Sequence, residues 1–176
     1  MGGGRLPAAG ERARAQLPPG TALTEYHRFV RIGGRRVRYE DQGQGPAVLL
    51  LHGIGHSLRN WFRTVPALTQ AGFRAIAIDT PGFGYSEAPD TILDEDGTTA
   101  FLTDFLDTFY LDKVHLVGHS LGGALATVLA LHRPERVARL ALVAPAVGPD
   151  VNPALRILGL QVARPLLRPL ALRRVF

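Results

Sequence analysis

Three serines occur in the 176-residue chain, and one of them stands in Gly118-His119-Ser120-Leu121-Gly122, followed by Gly123. Composition alone would produce such a Gly-x-Ser-x-Gly match about 0.04 times. The apolar run Val114-His115-Leu116-Val117 precedes it and the helical pattern Leu121–His132 follows, so Ser120 falls at a strand-to-helix turn. So sharp a turn holds a serine in a strained backbone conformation with its Oγ projecting outward. Glycines two residues before and two after, Gly118 and Gly122, leave room for neighbouring backbone. The first free N–H groups of the helix, Leu121's among them, can stabilise an oxyanion. These are the requirements of a nucleophile that attacks a carbonyl carbon. A phosphate loop or a plain tight turn would also use glycines, but a phosphate-binding Lys and Gly-x-Gly-x-x-Gly spacing are absent.

Two other loops carry groups of the same kind. His52-Gly53-Ile54-Gly55-His56 ends the apolar run Ala47–Leu51. Asp79-Thr80-Pro81-Gly82-Phe83-Gly84-Tyr85-Ser86 follows the run Phe73–Ile78. An Asp at a strand end can accept backbone N–H bonds from a loop held tight by Pro and two Gly.

In order and spacing, the three motifs resemble the alpha/beta-hydrolase superfamily, in its lid-containing serine-hydrolase branch, over residues 26–146. The resemblance implies that Ser120 is the nucleophile and that the Leu121 and Ile54 backbone N–H groups form the oxyanion hole. It implies that His52 and Gly53 shape the loop carrying Ile54, so that His52 is not the base. Asp79, Gly82 and Gly84 organise their own loop, and Asp79 is not the triad acid. His56 lines the mouth of the site or lies on the loop surface, and Trp61 belongs to the core or a pocket wall. Ser at the elbow argues against the dehalogenase and epoxide-hydrolase relatives, whose nucleophile is a carboxylate. Carboxylesterase, lactonase, C–C bond hydrolase and cofactor-free haloperoxidase-like activities stay open. No cofactor or metal is expected.

The elements that must position these residues follow from periodicity. Tyr26–Ile32 and Arg36–Glu40 alternate around Gly33-Gly34 and predict a hairpin. Ala47–Leu51 suits a strand buried on both faces. A helix is predicted over residues 58–70, interrupted by Pro66, then a strand over Phe73–Ile78 and a helix over residues 98–110. The strand at 114–117, the helix at 121–132 and a strand over Val137–Val143 complete the pattern. The alternation predicts an α/β fold: a mostly parallel sheet after an opening antiparallel hairpin, with helices on both faces, incomplete at the C-terminus. The expected division is a mobile N-terminal tail over 1–22, a hydrolase core over 23–146 and the start of a helical lid over 147–176.

A serine nucleophile needs a base and a carboxylate to orient that base, in this fold in the chain order Ser, Asp or Glu, His. After Ser120 the only histidine is His132, twelve helical residues on and so about 18 Å away. His115 lies within a strand and His119 adjoins the serine, so neither offers its ring to Oγ in the family's geometry. Asp150 follows the last strand without a His to orient. The chain therefore reads as a serine hydrolase of ester or acyl substrates that lacks its base and acid, a truncated sequence inactive by itself. The alternative is a catalytically inactive binding module on the same fold.

Composition excludes other classes. The chain has no Cys, hence no disulfide scaffold, thiolate metal site or Cys nucleophile. Its net charge of +5 sits at the ends: residues 1–38 carry +6, residues 39–149 carry −5 and residues 150–176 carry +4. No aromatic-flanked basic face accompanies it, so no nucleic-acid partner is expected. The first 25 residues lack the apolar stretch of a secretory signal, and no run approaches a membrane span. Pro165 and Pro169 break the basic amphipathic segment at the C-terminus, which argues against a membrane-surface helix. A cytoplasmic protein acting on a small molecule is expected, with self-association through an open sheet edge possible.

Overall fold

The computed structural model describes residues 28–90 and 93–147. The expected tail over 1–22, and all of the expected lid segment except Val147, lie outside the described residues. So does Asp150.

Strands β1 (Arg28–Ile32) and β2 (Arg35–Gln42) pair antiparallel, with Ile32 opposite Arg35. The two residues between them, Gly33 and Gly34, take φ of 54° and 81°. Two consecutive positive φ angles make the tight turn that matches strand twist, and only glycine adopts them without strain. β3 (Ala47–Leu51), β4 (Arg74–Ile78), β5 (Val114–His119) and β6 (Val137–Val143) follow. The sheet order is β1-β2-β4-β3-β5-β6, with the last four strands parallel and β2 antiparallel to β4. A bidentate ion pair, Arg74 Nε to Asp41 Oδ1 at 2.9 Å and Nη2 to Oδ2 at 2.7 Å, ties β4 to β2. The hydrogen-bonded Asp41 carboxylate raises the Arg74 pKa above its ordinary value.

Every residue of β3 is buried because both faces of the sheet are covered. Leu49, Leu51, Ile76 and Ile78 join Leu102, Phe105 and Leu106 of α2 (Glu95–Thr108) and Ala126 and Leu129 of α3 (Leu121–His132). Val48, Leu50, Ala75 and Ala77 pack the other way, on Leu58, Trp61 and Val65. Period-two alternation along β3 and β4 thus divides one apolar run between two cores.

Helix boundaries depart from the periodicity for local reasons. Residues 58–70 are two pieces, a 3-10 turn at Leu58–Trp61 and α1 at Thr64–Gln70. Pro66 does not interrupt α1; it lies in the first turn, where its missing N–H would have had no partner. α2 starts three residues before the expected 98, because the Asp94 side chain accepts the Gly97 N–H at 2.8 Å and caps it. It stops at Thr108, because Tyr110 turns to φ 55°. Tyr110 N then donates to Asp107 O and Leu111 N to Leu106 O, a C-cap usually built on Gly.

The chain leaves β3 for β4 on one side and returns to pair β5 on the other. The loops after β3 and β5 therefore diverge, and in an open α/β sheet the crevice at such a switch point is where ligands bind. Ser120 and the His52-Gly53 loop both emerge there.

Candidate active site

Ser120 joins β5 directly to α3 with φ 50° and ψ −115°, outside the regions open to side-chain-bearing residues. Such a conformation costs about 1–3 kcal/mol and persists only when its surroundings over-determine it. Here Ser120 N donates to Val143 O at 3.0 Å, while Ser120 O accepts from Ala124 N at 3.2 Å and Ala146 N at 2.9 Å. Glycines allow the close packing. A Cβ on Gly122 would collide with the Leu51 and His52 carbonyls, and one on Gly118 with the Gly122 backbone. The first turn of α3 thus lies directly against the end of β3. The Leu121 N–H is the first of the helix and has no partner within it.

The residues after β3 form a tight turn beside the elbow. His56 N donates to Gly53 O at 3.2 Å, closing a turn whose third residue, Gly55, takes φ 70°. His52 is fully buried and fixes this turn from behind. Thr80 N donates to its Nε2 at 3.0 Å, so Nδ1 carries the proton and donates to Gly53 O at 2.7 Å. Held at its oxygen by two donors, the Gly53–Ile54 peptide must aim its N–H the opposite way, since the bond is trans. Gly53 itself touches the elbow: a Cβ there would stand 2.9 Å from His119 Nδ1 and 3.2 Å from Ser120 Cβ.

Burial pushes the His52 imidazole below its ordinary pKa of 6.5, against smaller opposing effects of the Gly53 carbonyl and Asp79. The unfolded chain then takes up a proton near pH 6.5 that the folded chain refuses. The associated stability is complete above pH 6.5 and is lost as pH falls towards the folded value, by at most about 1.4 kcal/mol per unit. Urea melts at pH 7.5 and 5.5 are expected to show this loss. The difference should shrink in His52→Asn; an unchanged difference would assign it elsewhere.

Asp79 is buried and anchors two loops. Leu58 N donates to Oδ1 at 2.7 Å, Tyr85 N donates to Oδ2 at 2.9 Å, and the buried Arg38 guanidinium lies 3.5 Å from Oδ2. Gly84, at φ 57°, leaves the carboxylate its space, since a Cβ there would overlap it. Gly82, at φ 83°, donates its N–H to Glu87 O at 3.1 Å and shapes the same loop. Ser86 Oγ donates to Asp79 O at 2.7 Å and accepts from Arg38 N at 2.8 Å. Trp61 is buried in the smaller core.

His132 is engaged far from the elbow, its Nε2 3.3 Å from Glu95 Oε2. His115 lies on β5 with its ring edge-to-face to Phe73 at 5.9 Å. Among the described residues no cluster of three His, Asp or Glu is arranged to hold a metal. No described helix is long and apolar enough to cross a membrane.

The segment 144–146 was not legible as part of the site. Ala144 turns to φ 42°, Pro145 lies against Gly123, and Ala146 N reaches Ser120 O. Its only sequence signal is the Pro after an apolar strand.

Residues 46–164 match the alpha/beta hydrolase fold family, and the chain belongs to it. It is similar to the bifunctional epoxide hydrolase 2 of Sus scrofa, 40% identical over 119 residues, 65% of this chain and 21% of that protein. It is also similar to the 2-hydroxy-6-oxononadienedioate/2-hydroxy-6-oxononatrienedioate hydrolase of Paraburkholderia phymatum, 41% identical over 134 residues, 72% of this chain and 46% of the relative. Among solved structures, a variant of the meta-cleavage product hydrolase CumD from Pseudomonas fluorescens IP01 superposes with a TM-score of 0.64 at 34% identity. That match covers 69% of this chain and 46% of CumD. The chain spans less than half the length of these relatives.

Proposed function

We propose that the chain carries the nucleophile half of a serine hydrolase acting on an ester or related acyl substrate. Ser120 Oγ attacks the carbonyl carbon, and the Leu121 and Ile54 amides receive the oxyanion. The observation that carries this reading is the strained Ser120 backbone between β5 and α3, held by three backbone hydrogen bonds beside the His52-ordered turn.

The elbow residue also selects among the activities that its relatives' names suggest. A carboxylate that opens an epoxide forms an ester, which water can cleave at the carbonyl carbon. A serine that did so would form an ether with no such carbon. Ser120 therefore favours acyl or C–C substrates over epoxides.

The test is covalent labelling by a fluorophosphonate, in which Ser120 Oγ bonds to phosphorus and fluoride leaves. Folded chain is expected to label at Ser120 about 10²–10³ times faster than urea-unfolded chain, the worth of an oxyanion donor. Peptide mass spectrometry should place the adduct on Ser120, and Ser120→Ala should abolish it. Labelling no faster than in the unfolded chain would favour the binding-module alternative.

A further inference from the structure

Beside the elbow lie two imidazoles that the mechanism does not use. His119 directs its ring at Gly53, close to the Ser120 Cβ on the same side. Its Nδ1 is buried and has no hydrogen-bond partner among the described residues. His56, at the exposed end of the Gly53 turn, meets it edge-to-face with ring centroids 6.4 Å apart. A buried polar nitrogen without a partner carries a desolvation cost that a bound group would relieve.

The local field indicates the sign of that group. The positive end of the twelve-residue α3 begins at Leu121, two residues after His119. His52, at the end of β3, spends both ring nitrogens on Gly53 O and Thr80 N and offers no further donor. The carboxylate behind it, Asp79 at the end of β4, is already taken up by two backbone amides and Arg38. The surroundings thus favour a negative charge over a neutral donor.

We propose that His119 and His56 form a subsite for a carboxylate on the acyl substrate of Ser120. A carboxylate oxygen accepts a hydrogen bond from the His119 Nδ1–H, and His56 closes the subsite from the solvent side. This inference rests on Ser120 being the nucleophile, but the carboxylate site can be tested without it.

The test titrates the whole chain, with isotopically labelled histidine, against benzoate and its neutral isostere benzamide at pH 6. Benzoate is expected to move the His119 and His56 ring resonances saturably, at least about tenfold more tightly than benzamide, as a charge-assisted hydrogen bond requires. His119→Asn and His56→Gln should each weaken benzoate about tenfold. The exposed His56 variant serves if His119→Asn does not fold. Ser120→Ala should bind benzoate unchanged, and saturating benzoate, but not benzamide, should slow phosphonylation of Ser120. Equal affinity for the two ligands, or ring signals indifferent to benzoate, would overturn the subsite while leaving the nucleophile standing. Benzoate bound at the two histidines of a chain that does not label would overturn the nucleophile alone.

Discussion

The purified 176-residue chain is expected to hydrolyse p-nitrophenyl acetate no faster than its Ser120→Ala variant. General-base assistance is worth about 10²–10⁴-fold, and at neutral pH an unassisted serine stays a neutral alcohol. Among the described residues no histidine hydrogen-bonds Ser120 Oγ, and each is engaged elsewhere. His52 uses both nitrogens, on Gly53 O and Thr80 N, and His132 is held at the far end of α3 by Glu95. His119 and His56 face Gly53 and each other, and His115 faces Phe73. The remaining one, His27, lies outside the described residues. Labelling and turnover should therefore separate: a fluorophosphonate need react with Ser120 only once, a step the oxyanion donors speed, while an acylated Ser120 has no base to activate the water that would release it. Robust Ser120-dependent turnover would reveal a base among these imidazoles. A polypeptide extended by coding sequence that continues in frame, and that adds an Asp or Glu and then a His, should recover Ser120-dependent turnover by about 10²–10⁴-fold.

The sequence was most legible where one physical requirement dominates. A strand buried on both faces must be continuously apolar, and Ala47–Leu51 was read to the residue. The same holds for α3, bounded by the elbow at Ser120 and by Arg133-Pro134, and for β6. Boundaries were lost where side chains compete for backbone groups. Asp94 begins α2 within a polar stretch, and the C-cap role falls to Tyr110, which offers none of glycine's usual signal. The glycines around the elbow were legible as types but not as contacts: that Gly122 faces two carbonyls at the end of β3 depends on β3 and β5 being neighbours. The same non-local pairing brings His119 beside Gly53, and that of β5 with β6 brings Ala146 onto Ser120. No periodicity records such meetings, because they join residues of three different loops.

The chain is expected to self-associate through β6. Its inner edge pairs with β5, and among the described residues no strand pairs with its outer edge. Such an edge presents a row of unpaired N–H and C=O groups that can template another strand. Side chains add to this, since Leu140, Leu142 and Val143 are 37%, 40% and 49% exposed. One charge, Arg139, is the only blunting device in the strand. Antiparallel pairing of two copies centred on Leu140 would set each Arg139 opposite Ala141, so the charges would not oppose each other. It would also continue the six-stranded sheet without a break. Light scattering should therefore report dimers or larger species at micromolar concentration, and Leu142→Lys, which adds a charge to that edge, should shift them towards monomer. A monodisperse monomer with a cooperative thermal transition, unaffected by Leu142→Lys, would mean that the edge is covered by a segment of the chain itself.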